Sequence, residues 1–325
     1  MKNVPANRNK MVKIVVTDGF TLNPGDLDWS PLQELGECVF YDRTAPADTV
    51  ERCREADIII TNKTPIGSDI IAAAQSLRLI CVSATGYNNV DTAAARERGI
   101  PVCNVPEYST DAVAQHVLAM LLHYTNHIAR HADAVQQGQW VRSADFSFSV
   151  APVTELAGKT MGIVGMGHIG TRVATLAAAF GMQVIYTSRT PKQHAARQVS
   201  IEELFKESDF ITLHCPLTPQ TSGFVNASLL ASMKSAAVLI NTGRGGLIDE
   251  AALSNALQNG RPAAALLDVL STEPPAASNP LLGLPNCIIT PHIAWSAVEA
   301  RKRLLDTVVA NIRAALAGKP QHVVN

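Results

Sequence analysis

The chain lacks an excess of charge of either sign: 27 lysines and arginines stand against 28 aspartates and glutamates, a net charge of −1. Nucleic acids and anionic membrane surfaces are held by basic patches, so neither partner has a footprint here. No stretch approaches the roughly 18 uninterrupted apolar residues that would cross a bilayer. The N-terminal MKNVPANRNK has no apolar h-region, which argues against export and for a cytoplasmic location. Residues 1–10 read as a loose extension. The six cysteines, Cys38, Cys53, Cys81, Cys103, Cys215 and Cys287, include no CxxC or other metal-like spacing. Cys81, Cys103, Cys215 and Cys287 lie in or beside apolar runs and read as buried free thiols of a reducing compartment. No metal is expected, and small metabolites remain as partners.

What is present is length and a glycine pattern. A chain of 325 residues exceeds one ordinary domain and predicts about two. Near its middle, the apolar run Thr160 to Val164 leads into Gly165, Met166, Gly167, His168, Ile169, Gly170, and then into the helix formers Thr171 to Phe180. Strand, tight turn and helix in this order suit a dinucleotide. Gly165 makes the turn, Gly167 lets the backbone approach a pyrophosphate, and Gly170 lets the helix pack on the strand. The helix N-terminus supplies free N–H groups to the phosphates.

A second absence follows. The carboxylate expected about 20 residues on, which would bind the adenine ribose 2′-OH, is missing. After the strand Gln183 to Thr187 come Ser188, Arg189, Thr190, Pro191 and Lys192. A hydroxyl and a guanidinium accommodate a 2′-phosphate that a carboxylate would repel, so NADP(H) is favoured over NAD(H).

Short β-branched runs alternate with helical segments from Lys13 to Val105, and a second alternating series begins at residue 160 with strands at 161–164, 183–187, 210–214, 237–240, 264–268 and 287–290. Two such series predict two parallel-sheet domains. A long helix is expected from about Asp111 to His131, with Val113, Val117, Met120, Leu121, Tyr124 and Ile128 on one face, crossing from the first domain into the second. His116, His123, His127 and His131 lie within about 80° of one face of that helix, and read as a helix or subunit contact. The final helix, Ala297 to Ala317, returns to the first domain. Segment Gln136 to Glu155, with Trp140, Phe146, Phe148 and Pro152, reads as a surface loop or an oligomer arm.

Three polar segments each follow a strand of the second series, where open α/β sheets bind ligands. They contain Arg244, Glu273 and His292. A guanidinium can grip a carboxylate and the adjacent carbonyl oxygen. An imidazolium can protonate that oxygen as hydride arrives, and a carboxylate beside the imidazole favours its charged form.

At these residues the chain resembles the D-2-hydroxyacid dehydrogenase family. GMGHIG, SATGYNNVD (83–91), YSTDAVAQHVLAMLL (108–122), HCPLTPQT (214–221), LINTGRGGLIDE (239–250), LLDVLSTEPP (266–275) and TPHIAWS (290–296) are similar to family signatures in family order. The resemblance implies an α/β protein of two doubly wound parallel-sheet domains. A Rossmann cofactor domain, 109–296, is inserted into a discontinuous flavodoxin-like substrate domain, 1–108 and 297–325, with the cleft between them. It implies Arg244, Glu273 and His292 as the catalytic set. Substrate contacts are implied at Ser83, Ala84, Thr85, Gly86, Arg244, His292 and Trp295. Implied cofactor contacts, with the glycines, are His168, Ile169, Ser188, Arg189, Thr190, Cys215, Pro216, Thr242, Gly243, Arg244, Asp268, His292 and Ala294. Homodimerisation through the cofactor domain is implied too. Ser188 departs from the Asp of NAD-using members.

Within the family, Trp295 and the triplet Tyr87, Asn88, Asn89 resemble glycerate dehydrogenases, also called hydroxypyruvate or glyoxylate reductases. Trp295 would narrow the pocket for a small substrate or pack at the domain seam. Hydroxypyruvate or glyoxylate reduction is the expected reaction. Alternatives are relatives acting on 2-ketogluconate, D-lactate, formate or phosphite, and dinucleotide-sensing corepressors, which carry long tails beyond the last helix.

Overall fold

Residues 11–190, 192 and 194–325 are described by a computed structural model; the expected loose extension at residues 1–10, and Pro191, lie outside them. Two compact units result, one from the chain up to Ser109 together with Ser296–Asn325, the other from Thr110–Trp295.

In the first unit, apolar runs form β1 (Lys13–Val16), β2 (Glu37–Phe40), β3 (Ile58–Thr61), β4 (Leu79–Val82) and β5 (Val102–Cys103). They pair in the order β2-β1-β3-β4-β5, every pair parallel. This is the flavodoxin-like order. β3 and β4 are buried along their whole length, as parallel strands covered on both faces must be. Val15, Ile59, Ile80 and Val82 pack with Ile70, Ile71 and Ala95 of the flanking helices. β2 has no counterpart among the strands read from the sequence. It is an edge strand, with Glu37 exposed and its short apolar run Cys38, Val39 and Phe40 half-buried.

The helix Val298–Leu316 belongs to this unit and buries Leu304, Leu305, Val308, Val309 and Ile312. The chain then reaches β5, where Val323 bridges Cys103 antiparallel and Val324 N–H donates to Val102 O at 2.9 Å. Asn325 Oδ1 accepts from Val102 N at 2.8 Å, and its Nδ2 donates to Ile100 O at 2.8 Å. The otherwise open edge of the sheet is thereby closed.

In the second unit the strands are β6 (Thr160–Val164), β7 (Gln183–Thr187), β8 (Arg197–Gln198), β9 (Phe210–Leu213), β10 (Val238–Asn241), β11 (Ala264–Leu267) and β12 (Cys287–Ile289). Their order is β12-β11-β10-β9-β6-β7-β8, again all parallel. This is the dinucleotide-fold order 3-2-1-4-5-6 with a further strand added. The order reverses between β6 and β9, the switch point at which such sheets open a ligand crevice. β8 was invisible in the sequence because both its residues are exposed.

The single long helix expected from Asp111 to His131 is instead two, Thr110–Asn126 and Ile128–Gln136. His127 between them is left-handed, φ 49° and ψ 36°. The apolar stripe stops at the break: Val113, Val117, Met120 and Leu121 are buried, whereas Ile128 is exposed. The four histidines therefore do not share one continuous face. Ala114, Val117 and Leu121 pack against Val173, Ala174 and Ala177 of the helix His168–Ala179, small side chains that let the helices approach. All six cysteines are free, but Cys215 and Cys287 are only partly buried, a correction to their expected burial. Among the described residues no helix is long and apolar enough to cross a membrane.

Arg301 is a buried charge of the first unit. Arg301 forms a two-pronged pair with Asp26, Nη1 to Oδ1 at 2.7 Å and Nη2 to Oδ2 at 2.6 Å, and also donates to Leu22 O and Ser296 O. The Arg301 hydrogen bonds hold the Asp26 carboxyl below the usual carboxylate range. A depressed value contributes stability that is present above the unfolded value and lost as pH falls through the folded one. Asp26→Asn should therefore lower Tm near neutral pH, with the gap closing below about pH 4; thermal unfolding across pH measures it.

Candidate active site

The glycine turn after β6 is built from three different constraints. Gly165 has φ +98°, and a Cβ there would lie 2.7 Å from the His214 carbonyl and the Cys215 nitrogen. Gly170 would put a Cβ 2.1 Å from Gly165 O. Gly167, in contrast, has nothing within 4 Å of its Cβ direction and caps the helix His168–Ala179 without a side-chain bond. Its openness leaves the helix N–H groups accessible to an anion. Further along the same sheet edge, Thr242 Oγ1 is buried without a hydrogen-bond partner among the described residues. An orphaned hydroxyl on the sheet edge that carries the open phosphate turn fits a polar ligand such as a dinucleotide.

At the carboxyl ends of β10, β11 and β12 the polar segments are tied together by backbone. Asn241 at the end of β10 accepts at O from Asp268 N and donates through Nδ2 to Arg244 O at 2.9 Å. Arg244 itself is exposed, with Nη1 on Gly243 O at 2.8 Å. Asp268, following β11, has a fully buried carboxylate. It accepts from Thr290 Oγ1 at 2.6 Å, Ile293 N at 2.9 Å and Ala294 N at 2.8 Å. Between those donors stands His292 with φ 54°. A left-handed residue with a side chain costs about 1–3 kcal/mol, and the surrounding bonds must hold it. His292 N also donates to Asp268 O at 2.8 Å. Its Nδ1 meets Glu273 Oε2 at 2.6 Å, while Glu273 Oε1 accepts from Leu270 N at 3.1 Å. Imidazole and carboxylate are thus joined directly, and Nε2 of His292 is left for another partner.

The remaining sites take different positions. Ser188 and Arg189 follow β7 at the surface, Ser188 Oγ donating to Thr190 O at 2.9 Å. His168 and Pro216 are exposed, Ile169 and Cys215 half-buried. Ala294 is buried, with its N–H taken by Asp268, and Trp295 is half-buried. In the first unit, Ser83 to Gly86 follow β4. Ser83 N donates to Thr61 O at 2.8 Å, so that amide is already engaged. The neighbouring loop is pinned by Asp18, which accepts from the amides of Asn62, Lys63 and Thr64, and Asn62 Nδ2 donates to Ser83 O at 2.7 Å.

Two histidines acquire positions that the sequence did not disclose. His214, following β9 beside the glycine turn, is half-buried, and its desolvation pulls its pKa down to about 4; it bonds Thr212 Oγ1 at 2.9 Å. His116 reaches Thr290 Oγ1 at 3.1 Å and Asp268 Oδ1 at 3.5 Å. Only a run of histidines at helical spacing hinted at the second, and the strand ending before Cys215 at the first. Among the described residues no group of His, Cys, Asp or Glu could hold a metal ion.

The chain is similar to known proteins. The family model for the D-isomer specific 2-hydroxyacid dehydrogenase, NAD binding domain, matches residues 118–294. A hydroxypyruvate reductase of Blautia hydrogenotrophica is 47% identical over 321 residues, 97% of this chain and 100% of that protein. A glycerate dehydrogenase of Methylorubrum extorquens is 42% identical, covering 87% of this chain and 90% of its own. The crystal structure of an NADPH-dependent glyoxylate/hydroxypyruvate reductase from Sinorhizobium meliloti with NADP and malonate superposes with a TM-score of 0.83 at 31% identity, over 97% of each chain. The chain belongs to the D-isomer specific 2-hydroxyacid dehydrogenase family, and its second unit carries the nicotinamide-dinucleotide-binding domain of that family.

Proposed function

We propose that this enzyme reduces a short 2-oxo acid, hydroxypyruvate or glyoxylate, to the D-2-hydroxy acid with NADPH. The observation that carries the reading is the 2.6 Å His292–Glu273 pair on the sheet edge that also bears the open glycine turn. Relatives named hydroxypyruvate reductase and glycerate dehydrogenase support the substrate class. The residues at hand fit the cofactor: Gly165, Gly167, His168, Ile169 and Gly170 for the pyrophosphate, Cys215 and Pro216 for the adenosine, Thr242, Gly243, Asp268 and Ala294 toward the nicotinamide. When bound, the reduced nicotinamide supplies hydride to the carbonyl carbon.

The chain's own groups do the rest. Arg244 grips the substrate carboxylate and carbonyl oxygen, a geometry suited to its planar fork. His292, held by Glu273 through Nδ1, donates the Nε2 proton to the carbonyl oxygen; in the reverse direction the neutral ring takes the hydroxyl proton. Trp295 restricts substrate size. His292→Ala should lower kcat for hydroxypyruvate by about 10²–10⁴-fold, the range of a lost general acid. Turnover near wild type in a steady-state assay would refute the role.

The preference for NADPH rests on Ser188, Arg189 and Thr190 in place of an acid after β7. Arg189→Ala should weaken NADPH by about 1.5–3 kcal/mol, tenfold or more in kcat/KM, and leave NADH little changed. Comparing the two cofactors on wild type and variant tests it, and a wild-type NADH preference would defeat it.

We further read the protein as a cytoplasmic homodimer assembled through the second unit. In the segment 137–155 of that unit, Val141 and Phe146 are 90% and 91% exposed, apolar side chains on one loop that a partner surface would cover. Light scattering should give twice the chain mass for wild type and a single chain for a Val141→Ser, Phe146→Ser variant.

A further inference from the structure

His116 lies outside the residues given a role above, yet the hydrogen-bond chain that ends in the His292 loop begins at its ring. Thr290 has one hydroxyl proton, and that proton goes to Asp268 Oδ1 at 2.6 Å, because a carboxylate can only accept. The 3.1 Å contact between Thr290 Oγ1 and His116 Nε2 must then be a donation from His116. The direction of the whole chain is thereby fixed: His116 Nε2–H to Thr290 Oγ1, Thr290 Oγ1–H to Asp268 Oδ1. Asp268 in turn receives the amides of Ile293 and Ala294, the two residues after His292.

We propose that His116 is a positioning residue for His292. By donating to Thr290 it holds that hydroxyl on Asp268, and through Asp268 it holds the left-handed loop that presents the His292 ring. The helix Thr110–Asn126 is rigidly packed on the helix that follows the glycine turn, so His116 references the reacting imidazole to the same framework that carries the phosphate turn. Remove the donor, and the Thr290 hydroxyl is free to rotate toward other acceptors; Asp268 then loses its shortest bond. Reaction rate is sensitive to displacements of an ångström at the reacting group, whereas ground-state affinity is much less so.

The inference rests on His292 acting as proton donor, so the experiment includes His292→Ala as its reference. His116→Leu should lower kcat for hydroxypyruvate by about ten- to a hundredfold with KM for the 2-oxo acid and for NADPH little changed. His116→Gln keeps an N–H at similar reach and should recover most of the loss. Thr290→Val, which retains shape and removes the hydroxyl, should reproduce the His116→Leu defect, and the double variant should lose no more than either single one. Thermal unfolding establishes that each variant is folded; should His116→Leu not fold, Thr290→Val and the Gln variant carry the test. Wild-type kcat in folded His116→Leu or Thr290→Val, failure of Gln to rescue, or losses that multiply in the double variant would overturn the proposal while leaving His292 in place. Retained turnover in His292→Ala would overturn both.

Discussion

A carboxylate shut away from water must find donors for its lone pairs, and Asp268 finds them in residues on either side of His292. Without that need the loop after β12 has no reason to adopt a left-handed histidine. The backbone amide of the same residue donates to Asn241 O, and Asn241 Nδ2 donates to Arg244 O. The buried charge thus holds the segment after β12, while the backbone of the same residue ties in the segment after β10. An apolar residue at this position would cost less to bury but would specify nothing, whereas a satisfied ionic centre admits few arrangements of its neighbours.

Parallel sheets explain why these groups can meet at all. Each strand delivers its following loop to the same carboxyl edge, so residues remote in sequence, 241, 268 and 290, become neighbours by register alone. The glycine turn at the β6–β9 reversal uses the same edge. Position is supplied by covered, apolar strands and chemistry by polar loops, a division that lets the loops carry strain the sheet can sustain.

Much of this was legible in the sequence because it is written in local signals. Apolar β-branched runs marked the interior strands, and the three glycines marked the turn with the distinct roles their surroundings now explain. Less visible were elements whose signal is not local. β8 is a two-residue edge strand with both side chains exposed, so no apolar run betrayed it, and the short run Cys38 to Phe40 of the edge strand β2 was not read as a strand. The helix break at His127 was missed because a left-handed position filled by histidine looks like continued helix, whereas glycine would have announced it. Asp268 was read as a ligand contact; its bonds to Thr290, Ile293 and Ala294 depend on strand register. Likewise Ser83 looked like a donor for substrate until its amide was found engaged with Thr61.

The closure of β5 by the segment ending at Asn325 has a temporal meaning. During synthesis the second unit, made of one continuous stretch, can fold as soon as it clears the ribosome. The first unit begins earlier but waits, its helix Val298–Leu316 and edge partner still unmade. For that interval β5 presents bare N–H and C=O groups and the apolar surface that Leu304, Val308 and Ile312 later cover. The part of the chain made first is therefore the part completed last, and the nascent protein is most exposed to mispairing there.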